Sequence, residues 1–210
     1  MKTRIGIIDY GMGNLHSVKN ALEFVDCDAF VSADPRTLDH ASGLILPGVG
    51  AFPDAMNCLN ATGLADYVLN AAENRPIMGI CLGMQLLFDV SFEFRECRGL
   101  GLISGKVVKI EHKNVKVPHI GWNELTFKRE SKFTQGLKNG DQVYFVHSYK
   151  AVVQNDENLI AVTDHGGEIA AVVECGSVYG CQFHPEKSSD TGLKILKNFK
   201  EICDADSSRD

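Results

Sequence analysis

Over its first 88 residues the chain alternates two kinds of apolar pattern, and that alternation constrains its fold more than any other feature. Short runs rich in β-branched residues fall at residues 4–9, 27–32 and 43–46, and a fourth, Pro76-Ile77-Met78-Gly79-Ile80, leads into Cys81. Between them apolar residues recur at helical spacing: Leu15, Val18, Leu22 and Val25; then Met56 and Leu59; then Leu64, Val68 and Ala71. The runs read as strands buried on both faces, and the 3.6-residue period as helices packed against them. Strand and helix in alternation predict an α/β fold with a doubly wound, mostly parallel central sheet flanked by helices. In such sheets, ligands bind beyond the carboxyl ends of the strands.

After about residue 100 the texture changes. Residues 105–111, 115–122, 142–153, 159–163, 168–174 and 178–183 are strand-like, and Asp164-His165-Gly166-Gly167 reads as a hairpin turn. The second half is therefore expected to add antiparallel strands to the parallel core. With 210 residues, 44% of them hydrophobic, the chain can bury one sizeable core, most simply as a single domain. A net charge of −6 without any basic run argues against nucleic acid. The apolar run at the amino terminus is too short for a signal peptide, and no stretch approaches a membrane span. Seven cysteines without a Cys-x-x-Cys pair suggest reduced thiols and a cytoplasmic protein. Cys27, Cys58, Cys97, Cys175, Cys181 and Cys203 are read as packing residues. Cys181 and His184 have no second ligand pair, so no metal is expected.

Four strand ends carry candidate motifs. Asp9-Tyr10-Gly11-Met12-Gly13-Asn14 lacks a third glycine at His16, so it fails the dinucleotide fingerprint. Pro47-Gly48-Val49-Gly50 follows the third strand, and Pro47 marks its end. Its glycines free backbone N–H groups to face an anion, although an ordinary βα loop would look the same. The fourth strand enters Gly79-Ile80-Cys81-Leu82-Gly83, a thiol version of the strand-to-helix nucleophile elbow, and the apolar residues after it read as the first turns of a helix. Cys81 is placed near free N–H groups at the helix start, which favours thiolate. Alone, a buried structural cysteine fits this motif too. Gln182-Phe183-His184-Pro185-Glu186-Lys187-Ser188 supplies a base at the end of the last strand. In an extended backbone Glu186 would lie beside His184 and fix its tautomer. His16, His40, His112 and His165 lack such a setting and are read as solvated. Trp122 in Pro118-His119-Ile120-Gly121-Trp122-Asn123 fits either a core position or a partner surface.

Together with Tyr144-Phe145-Val146-His147-Ser148-Tyr149, these motifs make the chain resemble the class I (triad-type) glutamine amidotransferases. Within them it is most similar to the glutaminase subunits of imidazole glycerol phosphate synthases. The likeness spans residues 1–203 and leaves 204–210 as an expected disordered tail. It implies a Cys81, His184, Glu186 triad that hydrolyses L-glutamine to glutamate and ammonia without a cofactor. It further implies an oxyanion hole from the backbone of Val49 and Leu82, and glutamine-binding positions at Gly48, Gln85, Glu93, Ser148 and Tyr149. The family often has two adjacent acids where this chain has Phe92-Glu93, with another acid at Glu96; Glu93 is the better match. The implied partner is a (β/α)8-barrel cyclase/synthase subunit on a separate polypeptide, met by Asn14, Trp122, Tyr144 and Lys187. A paralogue feeding a different synthase, for example in an amidino-sugar pathway, stays open, as do a binding-only relative and an independent cysteine peptidase or esterase.

Overall fold

A computed structural model of the chain describes residues 2–111 and 115–207; His112 and residues 208–210, the end of the expected tail, lie outside the described residues. The first half runs β1 (Arg4–Ile8), α1 (Leu15–Phe24), β2 (Asp28–Ser32), α2 (Pro35–Leu38), β3 (Gly43–Gly48), α3 (Phe52–Ala61), α4 (Leu64–Ala72), β4 (Ile77–Cys81) and α5 (Leu82–Leu86). The second half adds β5 (Phe88–Ser91), β6 (Cys97–Arg98), β7 (Ile103–Lys109), β8 (His119–Glu124), β9 (Thr126–Phe127), β10 (Gln142–His147), β11 (Tyr149–Val153), β12 (Leu159–Asp164), β13 (Glu168–Cys175), β14 (Val178–Cys181) and α6 (Ser189–Ser207).

The main sheet has the order β2-β1-β3-β4-β14-β13-β12-β9. Its first five strands are parallel, and β13, β12 and β9 extend it antiparallel. Successive side chains on a strand point to opposite faces, so each parallel strand feeds two cores. Ile5, Ile7, Ile45, Met78 and Ile80 pack with Val18 and Leu22 of α1 and Leu196 and Phe199 of α6. Ile8, Leu44, Leu46 and Ile77 face the other way, onto Leu59 of α3 and Leu64 and Val68 of α4. These side chains are fully buried, each contributing about 1.5–3 kcal/mol of transfer free energy. The expected α/β sheet is present, with β1, β3, β4 and β14 ending on one edge.

Several local expectations change. Strand β3 continues through Pro47 to Gly48, paired with β4, because its ladder with β1 has already ended at Ile45. That leaves an edge where proline is tolerated. Helix α5 has only five residues, and Phe88, read as helical, opens β5 instead. The run 142–153 is not one strand. It breaks at Ser148 into β10, paired with β8, and β11, which joins β7, β5 and β6 in a four-stranded sheet. Trp122 lies within β8, opposite Tyr144, in the stretch read as strand-like. His165, expected in solvent, is half-buried: its ring stacks on His119 at 3.9 Å, and Nε2 lies 2.8 Å from the Lys116 carbonyl oxygen. Helix α6 carries residues 204–207, placed in the tail by sequence, as ordered helix.

Candidate active site

The elbow is built by close approach. A Cβ at Gly79 would lie 2.7 Å from the carbonyl carbon of Gly83, so β4 and α5 touch backbone to backbone. The chain must reverse within one residue, and Cys81 takes φ +55° and ψ −112°, outside the regions that L-residues favour. Such backbone costs on the order of 1–3 kcal/mol and persists only where packing over-determines it. Cys81 is buried and ends β4; Leu82, also buried, opens α5. With five residues, α5 has little macrodipole, so any pull on a thiolate comes from its first free N–H groups rather than from a long helix.

Strand β14 ends at Cys181, short of the expected Phe183, although the Gln182 N–H still reaches the Ala171 carbonyl at 3.0 Å. His184 is anchored by its own N–H to the Tyr144 carbonyl, 3.0 Å. The buried Ser188 hydroxyl tightens the same corner, donating to the His184 carbonyl at 2.6 Å and accepting from the Tyr144 N–H at 2.9 Å. Residues Pro185–Lys187 form one 3-10 turn rather than an extended run. The turn still brings Glu186 beside His184, with Oε1 2.8 Å from Nδ1 and both side chains buried. Burial opposes a charge on His184, but hydrogen bonds and charge from Cys81 and Glu186 outweigh it and push the imidazole up to about 10. Nδ1 is therefore taken by the carboxylate, which leaves Nε2 as the ring nitrogen open to the Cys81 thiol.

A cavity of about 320 Å³ opens over this pair, lined by Cys81, His184, Val49, Gly50, Leu82, Gln85, Glu93, Pro118, Val146, His147, Ser148 and Tyr149. A larger groove of about 660 Å³ along residues 127–139 shares none of these residues. Gly48 does not line the cavity. It packs where a Cβ would meet the Gly83 nitrogen at 2.7 Å and the Tyr10 hydroxyl at 2.8 Å. Glu93 is buried, and its Oε2 accepts from the Phe52 N–H at 2.7 Å, at the start of α3. Burial raises its carboxyl pKa, against that hydrogen bond. Glu96 is exposed and does not line the cavity, whereas Glu93 does.

Gln85 Nε2 donates to the Tyr149 carbonyl at 3.0 Å and to Gln182 Oε1 at 2.9 Å. Gln182 Nε2 lies 3.8 Å from Cys81 Sγ, and the Val146 carbonyl oxygen lies 3.9 Å from the same sulfur. Behind the cavity, His147 Nδ1 lies 2.8 Å from the Tyr149 carbonyl oxygen, its Nε2 lies 3.0 Å from His119 Nδ1, and His119 Nε2 lies 2.8 Å from Asn123 Oδ1. The roles of Gln182, Ser188 and His147 were missed by sequence reasoning. Gln182 could have been found by period two, since it precedes His184 by two positions near the end of a strand.

Of the residues assigned to a partner, Trp122 and Tyr144 touch edge to face, with ring centroids 5.9 Å apart. Trp122 is 48% exposed and Ile120, on the same face of β8, 59%. Lys187 is exposed on the His184 turn, against which α1 packs; Asn14 is half-buried at the start of α1.

A family model described as glutamine amidotransferase class-I matches residues 6–202. The chain belongs to that family. Within it, the chain is 52% identical over 199 residues to "Imidazole glycerol phosphate synthase subunit HisH" of Caldanaerobacter subterraneus subsp. tengcongensis, covering 94% of this chain and 98% of that protein. It is equally 52% identical over 206 residues to the protein of the same name from Geobacillus sp. strain WCH70, covering 95% and 97%. A chain in the structure of PurLQS from Thermotoga maritima matches with TM-score 0.74 and 23% identity, covering 95% of this chain and 98% of that one, a likeness of fold alone. As a class-I glutamine amidotransferase the protein is an enzyme. Among its described residues, no helix is long and apolar enough to cross a membrane.

Proposed function

We propose that the chain hydrolyses L-glutamine to glutamate and ammonia at Cys81 and hands the ammonia to a synthase partner that makes imidazole glycerol phosphate in histidine biosynthesis. The observation that carries the chemistry is His184, paired with Glu186 and sharing with Cys81 the wall of a cavity that also holds Glu93. The Cys81 thiolate attacks the side-chain amide carbon of glutamine, and the carbonyl electrons move onto oxygen. The N–H groups of Leu82 and Val49 hold that oxyanion. Imidazolium His184 gives its proton to the departing nitrogen, which leaves as ammonia. A thioester remains. Neutral His184 then takes a proton from water, the hydroxide adds to the thioester, and Cys81 departs as thiolate. Glu186 keeps Nδ1 protonated and the ring aligned. Glu93 meets the substrate's amino group, and Gln85, Ser148 and Tyr149 hold the rest of glutamine.

The names of the relatives favour the histidine-pathway synthase over an amidino-sugar partner. We assign the partner as a (β/α)8 barrel docked on the face that bears Trp122, Tyr144, Asn14 and Lys187. Seven free cysteines fit an enzyme of the cytoplasm. Glutamate release measured with and without the cognate barrel tests the proposal. A marked rise on adding the barrel is expected; the same turnover in both samples overturns the partner, and none in either overturns the glutaminase.

A further inference from the structure

A carbonyl oxygen can only accept hydrogen bonds, and from that fact the orientation of two buried amides follows. The Tyr149 carbonyl faces Gln85 at 3.0 Å, so that end of the Gln85 amide is its nitrogen. The same nitrogen faces Gln182 at 2.9 Å, so that end of the Gln182 amide is its oxygen. The nitrogen of Gln182 is therefore the end that lies 3.8 Å from Cys81 Sγ. Gln182 is fully buried and is not among the residues lining the cavity, so neither water nor glutamine competes for that N–H.

We propose that Gln182 donates a hydrogen bond to the Cys81 thiolate, aimed at the sulfur by Gln85 and the Tyr149 carbonyl. Two contacts on the sulfur pull in opposite directions. The Val146 carbonyl, 3.9 Å away, accepts from a thiol S–H but repels a thiolate. The Gln182 N–H does the reverse, so it favours the charged form. His184 supplies the positive charge that interacts with the sulfur. The donor acts on the reacting atom and not on glutamine, so its loss slows turnover with little change in KM. This inference rests on Cys81 being the nucleophile.

Gln182→Glu separates the two functions of the amide. Glutamate at this position still accepts from Gln85 but has no N–H for the sulfur, and it adds a negative charge. Gln182→Met removes the donor without charge and with little change of volume, so it tests the same bond if the glutamate variant fails to fold. The measurement is the pH profile of Cys81 alkylation by iodoacetamide, with the modified residue identified by peptide mass. In the parent protein, Cys81 should react faster near neutral pH than the half-exposed Cys58 and Cys97. In both variants, the acid limb of the profile should move up by about one pH unit, slowing reaction on that limb roughly tenfold. KM for glutamine in the barrel complex should stay within about threefold while kcat falls. An unmoved acid limb in the folded variants overturns the proposal for Gln182. If Cys81 in the parent reacts no faster than Cys58 and Cys97, the nucleophile assignment itself fails.

Discussion

A methyl group at Gly83 would sit 1.8 Å from the carbonyl oxygen of Leu46. No side-chain rearrangement relieves that contact, since both partners are backbone. Gly83→Ala should therefore push α5 away from β3 and relax the turn at Cys81. Overpacking of this kind costs about 1–3 kcal/mol, and a backbone clash should reach the upper end. Denaturant unfolding, run beside glutamate release in the barrel complex, checks both effects. Unchanged stability and activity would mean the elbow does not depend on this contact.

Cys81→Ser replaces the sulfur with an oxygen that ionises far less readily. Glutamine-dependent synthesis by the complex should be lost, while synthesis from added ammonium salt continues in the partner. Retained glutamine-dependent product would remove Cys81 from the mechanism.

The raised His184 makes a directional claim about pH. Its folded value of about 10 lies above the ordinary 6.5, so the folded state holds the proton more tightly than the unfolded chain. The stabilisation is fully present below pH 6.5 and is lost as pH rises through about 10. Per proton, the change is no steeper than about 1.4 kcal/mol per pH unit. Glu186→Gln keeps an acceptor for Nδ1 but removes the charge. The stability gap between parent and variant should therefore be widest near pH 6.5 and close toward 10. A gap that is constant across this window would count against the charged pair.

Glu93 offers a second pH test, on binding. Burial raises its carboxyl pKa, so it takes up a proton at higher pH than an exposed acid does. KM for glutamine should begin to rise as pH falls through that raised value, before exposed carboxylates titrate. Glu93→Gln should raise KM by about tenfold or more and flatten this pH dependence, because charge-assisted hydrogen bonds are the strong ones. Equal KM values for parent and variant across pH would show that another group meets the amino end.

Trp122 and Lys187 should matter to the partner alone. Both are exposed, so truncation removes little internal packing. Trp122→Ala and Lys187→Ala are expected to weaken barrel binding, each by about 2 kcal/mol if it is an anchor, without lowering the melting temperature. Isothermal titration with the barrel checks this, and parent-like binding in both variants would move the interface elsewhere.

The parallel half of the fold was legible because its strands are buried on both faces and its helices on one, which gives distinct periods at Ile5–Ile8 and at Val18 and Leu22. Cys81 and His184 were legible for a related reason. Glycines at 79 and 83 announce a tight turn, and Pro185 announces a strand end. The short apolar stretch after Cys81 was not, because a buried strand and a buried helix look alike over so few residues; Phe88 fell on the wrong side. The division of residues 142–153 between two sheets leaves no mark in a strand-like run that contains neither glycine nor proline. The orientation of Gln182 depends on Gln85, 97 positions away, so no local pattern could carry it.

The buried line from Tyr149 through His147 and His119 to Asn123 has a consequence in proton counting. Both of its ends, the Tyr149 carbonyl and Asn123 Oδ1, are acceptors, because the Asn123 nitrogen donates to the Asp164 carbonyl at 3.0 Å. Three contacts in a row therefore call for three N–H groups, and two neutral imidazoles own two. Burial, the largest influence on His147, pushes it down to about 3, and it lowers His119 as well, so the third proton is not held near neutrality. Two lone pairs must then share the 3.0 Å between the rings, or one ring must turn its back on an end. Strands β8 and β10, which carry Trp122 on one side and a wall of the cavity on the other, meet at this point across a contact that is one proton short.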